Sequence, residues 1–169
     1  GDLATAEPLL REALEVQRET LGDRHPSTLT SIGNLGSLLQ DKGDLAAAEP
    51  LLREALEGQR ETVGNRHPDT LISIGDLGLL LQKKGDLAAA EPLLREALEG
   101  QRETLGSRDP CTLRTFDHLG LLLQVKGDLA AAELLHRESL EARIDFTMSR
   151  HHRVRVSRLH CESPPGRVE

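Results

Sequence analysis

The chain has 169 residues, a formal charge of −7 and an apolar fraction of 37%, yet only two Phe and no Tyr or Trp. A core without large rings has to be filled by Leu and Ala, which argues for close-packed helices and against β-sandwiches and barrels. Two cysteines cannot staple a secreted domain, no apolar run approaches the ~18 residues of a membrane span, and an acidic surface without aromatic platforms repels phosphate backbones. The composition therefore predicts a soluble, cytoplasmic, all-α chain whose partners are proteins, with no nucleic acid and no membrane.

The first element, residues 2–21, spaces Leu3, Ala6, Leu10, Ala13 and Leu14 as one stripe of an amphipathic helix, here named type B. Gly22 ends it, and His25-Pro26 starts a type A helix, since Pro fits a first helical turn. Gly43-Asp44 then supplies a left-handed stop and an N-cap for the second type B helix, which carries Leu45, Ala48, Leu52, Ala55 and Leu56. After Gly64 and His67-Pro68 comes a type A stripe of Leu71, Ile74, Leu77, Gly78 and Leu81 that ends at Lys84.

The same alternation continues through Gly85-Asp86, Gly106 and Asp109-Pro110, because Gly-Asp-Leu-Ala recurs at Gly1, Gly43, Gly85 and Gly127, a constant spacing of 42. A fixed period of this length marks a repeat architecture. Residues 43–67 and 85–109 differ at only three positions, Val63/Leu105, Asn65/Ser107 and His67/Asp109, so these units are structurally equivalent. Seven helices are expected, four of type B and three of type A.

Gly33, Gly36, Gly75, Gly78 and Gly120 each weaken a type A helix by about 1 kcal/mol relative to Ala, and Pro50 and Pro92 each remove a donor from a type B helix. Such helices gain their stability from stacking, with the glycines allowing a partner helix to come close. Gly78 in particular is expected where helix A meets helix B. The series Glu49, Arg53, Glu57 and its copy Glu91, Arg95, Glu99 form i, i+4 ladders on a solvated face.

No active site is legible, and no cofactor is expected. His25 and His67 give way to Asp109 in the third copy, a swap that suits an N-cap and not a catalytic base. His151, His152, His160 and Cys161 lack the paired spacing of a zinc site. No phosphate loop or nucleophile elbow is present.

These residues resemble the tetratricopeptide repeat (TPR), and the period together with Ala-Glu-Pro-Leu and His-Pro-Asp-Thr resembles the kinesin light chain variety. The family's series falls on Ile32, Leu35, Gly36, Leu39, Gly43, Leu45, Ala48, Leu52 and Ala55, and again on Ile74, Leu77, Gly78, Leu81, Gly85, Leu87, Ala90, Leu94 and Ala97. In the last unit His136 replaces a Leu and Ser139 an Ala, which is expected to loosen the final packing layer. The resemblance implies a right-handed α-solenoid of antiparallel helix pairs over residues 1–143, without catalysis, whose type A helices line a concave groove for an extended peptide or a partner helix.

By that alignment the groove is lined by Asn34, Ser37, Gln40, Asp76, Leu79, Gln82, His118, Leu121 and Gln124. Asn34 alone keeps the family's backbone-holding Asn; Asp76 and His118 stand in its place in the other units. Leu79 and Leu121 call for an apolar side chain on the ligand. The implied function is a non-catalytic protein-interaction scaffold; a purely architectural or self-associating segment, or the regulatory repeats of a larger enzyme, are the alternatives.

The two ends differ from the body. Residues 144–169 hold three Asp and Glu against five Lys and Arg, leaving 25 and 16 of the totals of 28 and 21 to residues 1–143. This segment is expected to be a basic, disordered tail in which the repeat has ended, because the next type A positions fall on Arg155 and Arg158. At the other end the first type B helix stands without its own type A partner. The chain therefore reads as a piece of a longer array, and self-association or helix binding is expected at that edge.

Overall fold

A computed structural model describes residues 3–144 of the chain, with side chains from residue 5. The helices are α1 (Leu3–Leu21), α2 (Pro26–Asp41), α3 (Leu45–Thr62), α4 (Pro68–Lys83), α5 (Leu87–Thr104) and α6 (Pro110–Lys126), followed by α7 over residues 129–144. There is no strand among the described residues. The seven expected helices are thus present, and the tail with its histidines and Cys161 lies outside the described residues. Helices adjacent in sequence pack together, and α2, α4 and α6 also touch in turn, so the type A helices form one continuous layer. The fold is an all-α repeat solenoid.

The turns follow from their residues. Asp44 and Asp86 each accept a hydrogen bond from the backbone N–H three residues on, Ala47 and Ala89, both at 3.1 Å. His25 and His67 do the same through Nδ1 for Ser27 and Asp69, both at 3.2 Å, and Asp109 for Cys111 at 2.8 Å. The recurring histidine is therefore an N-cap whose role Asp fills equally well. Every described interhelical turn contains a glycine at φ between 85° and 91°, a conformation costly for any residue with a Cβ.

The core is a row of aliphatic layers. Ile32, Ala48, Leu52 and Ala55 are fully buried in one unit, and Ile74, Ala90, Leu94 and Ala97 in the next. A Cβ placed on Gly78 would fall 2.9 Å from Leu94 Cγ, and one on Gly36 2.9 Å from Leu52 Cγ, so both glycines sit where helix A presses on helix B. Gly33 and Gly75 differ, since their nearest neighbours would stand 3.6 Å or more away. The type B helices have close approaches of their own, since a Cβ added at Gly58 would clash with Leu29 and one at Gly100 with Leu71.

Neighbouring units are joined by ion pairs that recur with the period. Arg18, Arg60 and Arg102 reach Glu54, Glu96 and Glu138 of the following type B helix, while Lys42, Lys84 and Lys126 reach back to Glu7, Glu49 and Glu91. Arg24 and Arg66 pair with Glu61 and Glu103. Glu49 and Glu91 thus serve both their expected i, i+4 arginine and a lysine from the next unit. Exposed pairs of this kind contribute little singly. Their repetition fixes register.

The last unit is rebuilt around polar groups. Where the preceding unit has Gly75, Ala97 and Gln101, this one has Asp117, Ser139 and Arg143, and these three bond to one another: Ser139 Oγ donates to Asp117 Oδ1 at 3.3 Å and Arg143 to Oδ2 at 2.5 Å. His136 replaces the Leu that covers the glycine in earlier units, and its ring lies where a Cβ on Gly120 would come within 2.6 Å. Its Nε2 stands 3.3 Å from Gln124 Nε2. Ser139 remains buried and Arg102 lies over the Phe116 ring at 4.5 Å.

Candidate functional site

The layer of type A helices carries the candidate site, because each helix turns Leu, Ile and small residues towards type B and leaves its other side less covered. Of the nine residues expected there, Asn34, Leu121 and Gln124 are exposed, and Ser37, Asp76, Leu79, Gln82 and His118 are half-buried. Gln40 is 4% exposed and belongs to the packed interior, so it offers no surface to a ligand. One helical step separates it from the open side, a difference that an alignment does not resolve.

The structure brings three of these helices together around Asp76. Ser37 Oγ, which is 3.1 Å from Gly33 O, donates to Asp76 Oδ2 at 2.9 Å, and Arg114 donates to Oδ1 at 3.1 Å. Residues on α2, α4 and α6 are thereby locked in line. The carboxyl side chain is only 16% exposed, and burial pushes it above the usual Asp range against the pull of Arg114 and the Ser37 hydroxyl. Arg114 is itself a groove position by the family alignment, standing one repeat on from Ile72.

A raised carboxyl favours the protonated form in the fold, so its share of stability is full at low pH and is lost as the pH rises through the folded value. Asp76→Asn keeps the shape and an acceptor for Ser37 without the buried charge. Its Tm is expected to exceed that of the parent at pH 7, with the gap closing as the pH falls towards about 4. A lower Tm for the variant at pH 7 would show that the Arg114 pair outweighs the burial.

His118 lies beside this network. Burial holds its imidazole below the usual range, assisted by Arg114 and opposed by Asp117, and Nε2 is buried without a hydrogen-bond partner. Next to it the surface turns apolar, with Leu79 half-buried on α4 and Leu121 49% exposed on α6, one repeat apart. Val125, 71% exposed, extends the apolar side of α6. Among the described residues no group of three or more His, Cys, Asp or Glu converges on a metal position. No described helix is long and apolar enough to cross a membrane.

Clefts elsewhere are of another kind. One of about 360 Å³ at the loop before α2 is lined by Arg18, Asp23, Arg24, Leu29 and Glu54, whose charged groups already pair among themselves or with Glu61.

Comparison with known proteins agrees with this architecture. The family model for the tetratricopeptide repeat matches residues 1–61, 27–103 and 69–145, and the chain belongs to that family. Its repeats are similar to solved kinesin light chain TPR-like repeats. A crystal structure of BtubC (BKLC) from P. vanneervenii superposes with a TM-score of 0.74 at 25% identity, covering 86% of this chain. Two crystal structures of a putative kinesin light chain with nearly identical TPR-like repeats from Podosopora anserina follow. The Q17M form has a TM-score of 0.68 at 26% identity, covering 88% of this chain and 70% of its own. The other has a TM-score of 0.64 at 28% identity, covering 86% and 69%. This chain spans 57% of the length of the BtubC chain. No curated protein matches it. Repeats of this family generally mediate protein–protein interaction, on a fold that is typically a non-enzymatic scaffold.

Proposed function

We propose that the chain is a non-catalytic, cytoplasmic interaction module that takes an extended peptide or a partner helix along the concave layer of α2, α4 and α6. The observation that carries this reading is the pairing of Leu79 and Leu121 at one repeat's distance on a face otherwise lined by polar groups, including Asn34, Ser37 and Gln124. An apolar patch inside a polar rim is the anatomy of a binding surface, and the Ser37–Asp76–Arg114 network preorganises it.

The test is a random-peptide display screen against the chain, repeated with Leu79→Asp and Leu121→Asp. Enriched peptides are expected to carry an apolar residue and to lose at least ~10-fold in affinity to either variant, because a carboxylate would be buried without a partner. Far-UV circular dichroism should be unchanged at Leu121→Asp, whose site is half open already. If no peptide is enriched, or if binding survives both substitutions, the reading fails.

A further inference from the structure

The loop before each type A helix repeats with the period, yet the residue after its glycine changes from Asp23 to Asn65 to Ser107, each followed by an arginine. In the first copy Asp23 and Glu54 both bind Arg18, at 3.3 and 2.7 Å, so one guanidinium holds two carboxylates. In the last copy the equivalent Arg102 pairs with Glu138 and lies over the Phe116 ring, and the neutral, exposed Ser107 occupies the position of Asp23. The cleft here is also wider. It has about 500 Å³ against about 360 Å³ at the first copy, and each is lined by the arginine of the type B helix, the loop residue and the arginine that follows it. A substitution on α7 accounts for the room. A Cβ at Gly58 or Gly100 would clash with Leu29 or Leu71, both buried; Ala142 carries that Cβ, and Leu113, in the leucine's place, is only half-buried. Phe116 and Ala142 line this cleft where Leu29 lines the first.

We propose that Ser107 is a phosphorylation site, and that its phosphate takes against Arg102 the place that the Asp23 carboxylate takes against Arg18. Ser107, Arg108 and Pro110 are all exposed, so the loop can enter a kinase. In the transfer, Ser107 Oγ attacks the γ-phosphorus of a nucleoside triphosphate. The new O–P bond forms as the bond to the bridging oxygen of the departing diphosphate breaks, and the hydroxyl proton passes to a base of the kinase. The product is largely a dianion at neutral pH and faces two guanidiniums, Arg102 and Arg108, which can donate charge-assisted hydrogen bonds to its three oxygens. Glu138, Glu141 and Asp109 oppose the added charge, and the first turn of α6 favours it. Held in this way, the phosphate ties the loop before α6 to α5, as Asp23 ties the loop before α2 to α1. Asn65, neutral and without a hydroxyl, leaves the middle copy outside this chemistry.

The test places phosphoserine at residue 107 of the whole chain by genetic code expansion and follows its phosphorus NMR signal against pH, folded and in urea. Guanidiniums favour the dianion, so the folded phosphate is expected to titrate at a pH lower by about 0.5 or more than in the unfolded chain, where the midpoint is about pH 6. Arg102→Gln should close most of that gap. Thermal unfolding gives a second reading. Ser107→Asp should raise Tm above Ser107→Asn, and the difference should shrink on an Arg102→Gln background, a comparison in which the lost Glu138 pair cancels. Access is read by offering ATP and a panel of serine/threonine kinases to the folded chain and to a peptide of residues 102–112, with the modified sites mapped by mass spectrometry. Phosphate at Ser107 in both is the expected result. A folded phosphate that titrates at or above the unfolded one, a gap or Tm difference indifferent to Arg102→Gln, or a folded chain left unmodified at Ser107 would each overturn the proposal.

Discussion

Truncating Leu94 to alanine is expected to destabilise the chain by about 2–5 kcal/mol, read as a loss of Tm in thermal unfolding. Leu94 is fully buried and lies against Gly78 of α4. The cavity would open directly over Gly78, since a Cβ there would lie 2.9 Å from Leu94 Cγ and 3.0 Å from Cδ2. Adding Gly78→Ala to Leu94→Ala should therefore recover part of the loss, because the new methyl enters the vacated volume and alanine also favours the helix. A double variant no more stable than Leu94→Ala alone would show that the layer collapses by another route.

Gly78→Leu is expected to cost about 1–3 kcal/mol by overpacking the same contact from the other side. The helix-propensity gain of replacing a glycine works against this loss by up to about 1 kcal/mol, so the sign depends on whether α4 and α5 can part. They are joined directly by the short turn through Gly85, which limits how far they can separate. Gly75→Ala is the control within the same helix. Its Cβ would sit 3.6 Å from Thr115 Oγ1 and 3.8 Å from Ala97 Cβ, ordinary contact distances, and the variant should be as stable as the parent or more so. Equal effects at the two glycines would mean that propensity and not approach distance governs them.

These two glycines also mark how far the sequence could be read. The 42-residue period, the N-capping by His67 and Asp86 and the stripe through Leu71 and Ile74 all lie within a few residues of one another, where local rules hold, and each stands in the structure as expected. Gly78 was singled out as the glycine where helix A meets helix B and stands there; the looser surroundings of Gly75 depend on which side chains of other helices arrive opposite. The ion pairs between units span 35 to 37 residues and escape any search confined to a single helix. The last unit shows the same limit differently. Ser139 taken alone looks like a lost methyl, whereas Asp117, Ser139 and Arg143 taken together are one exchange of an apolar node for a bonded one.

Of the residues that the family alignment assigns to the candidate face, Asn34 and Leu121 are exposed and Leu79 is half-buried. Gln40 is neither, since its side chain turns into the interior at the helix end, where α2 meets the turn through Gly43. The lock on Asp76 was hidden in the sequence. Its three members come from three repeats, and only their lateral stacking reveals that an aspartate in one helix is held by a serine before it and an arginine after it.

The identical contacts at successive junctions have a consequence for the gene as well as the protein. A loss or duplication of one 42-residue stretch, wherever it is cut, would rejoin an arginine to the same glutamate and a leucine to the same glycine. Unequal recombination could thus lengthen or shorten the molecule while keeping these arginine–glutamate and leucine–glycine contacts. Over such changes the interior would stay constant, and the span of the type A layer, hence the length of chain it could accommodate, would be the quantity that varies.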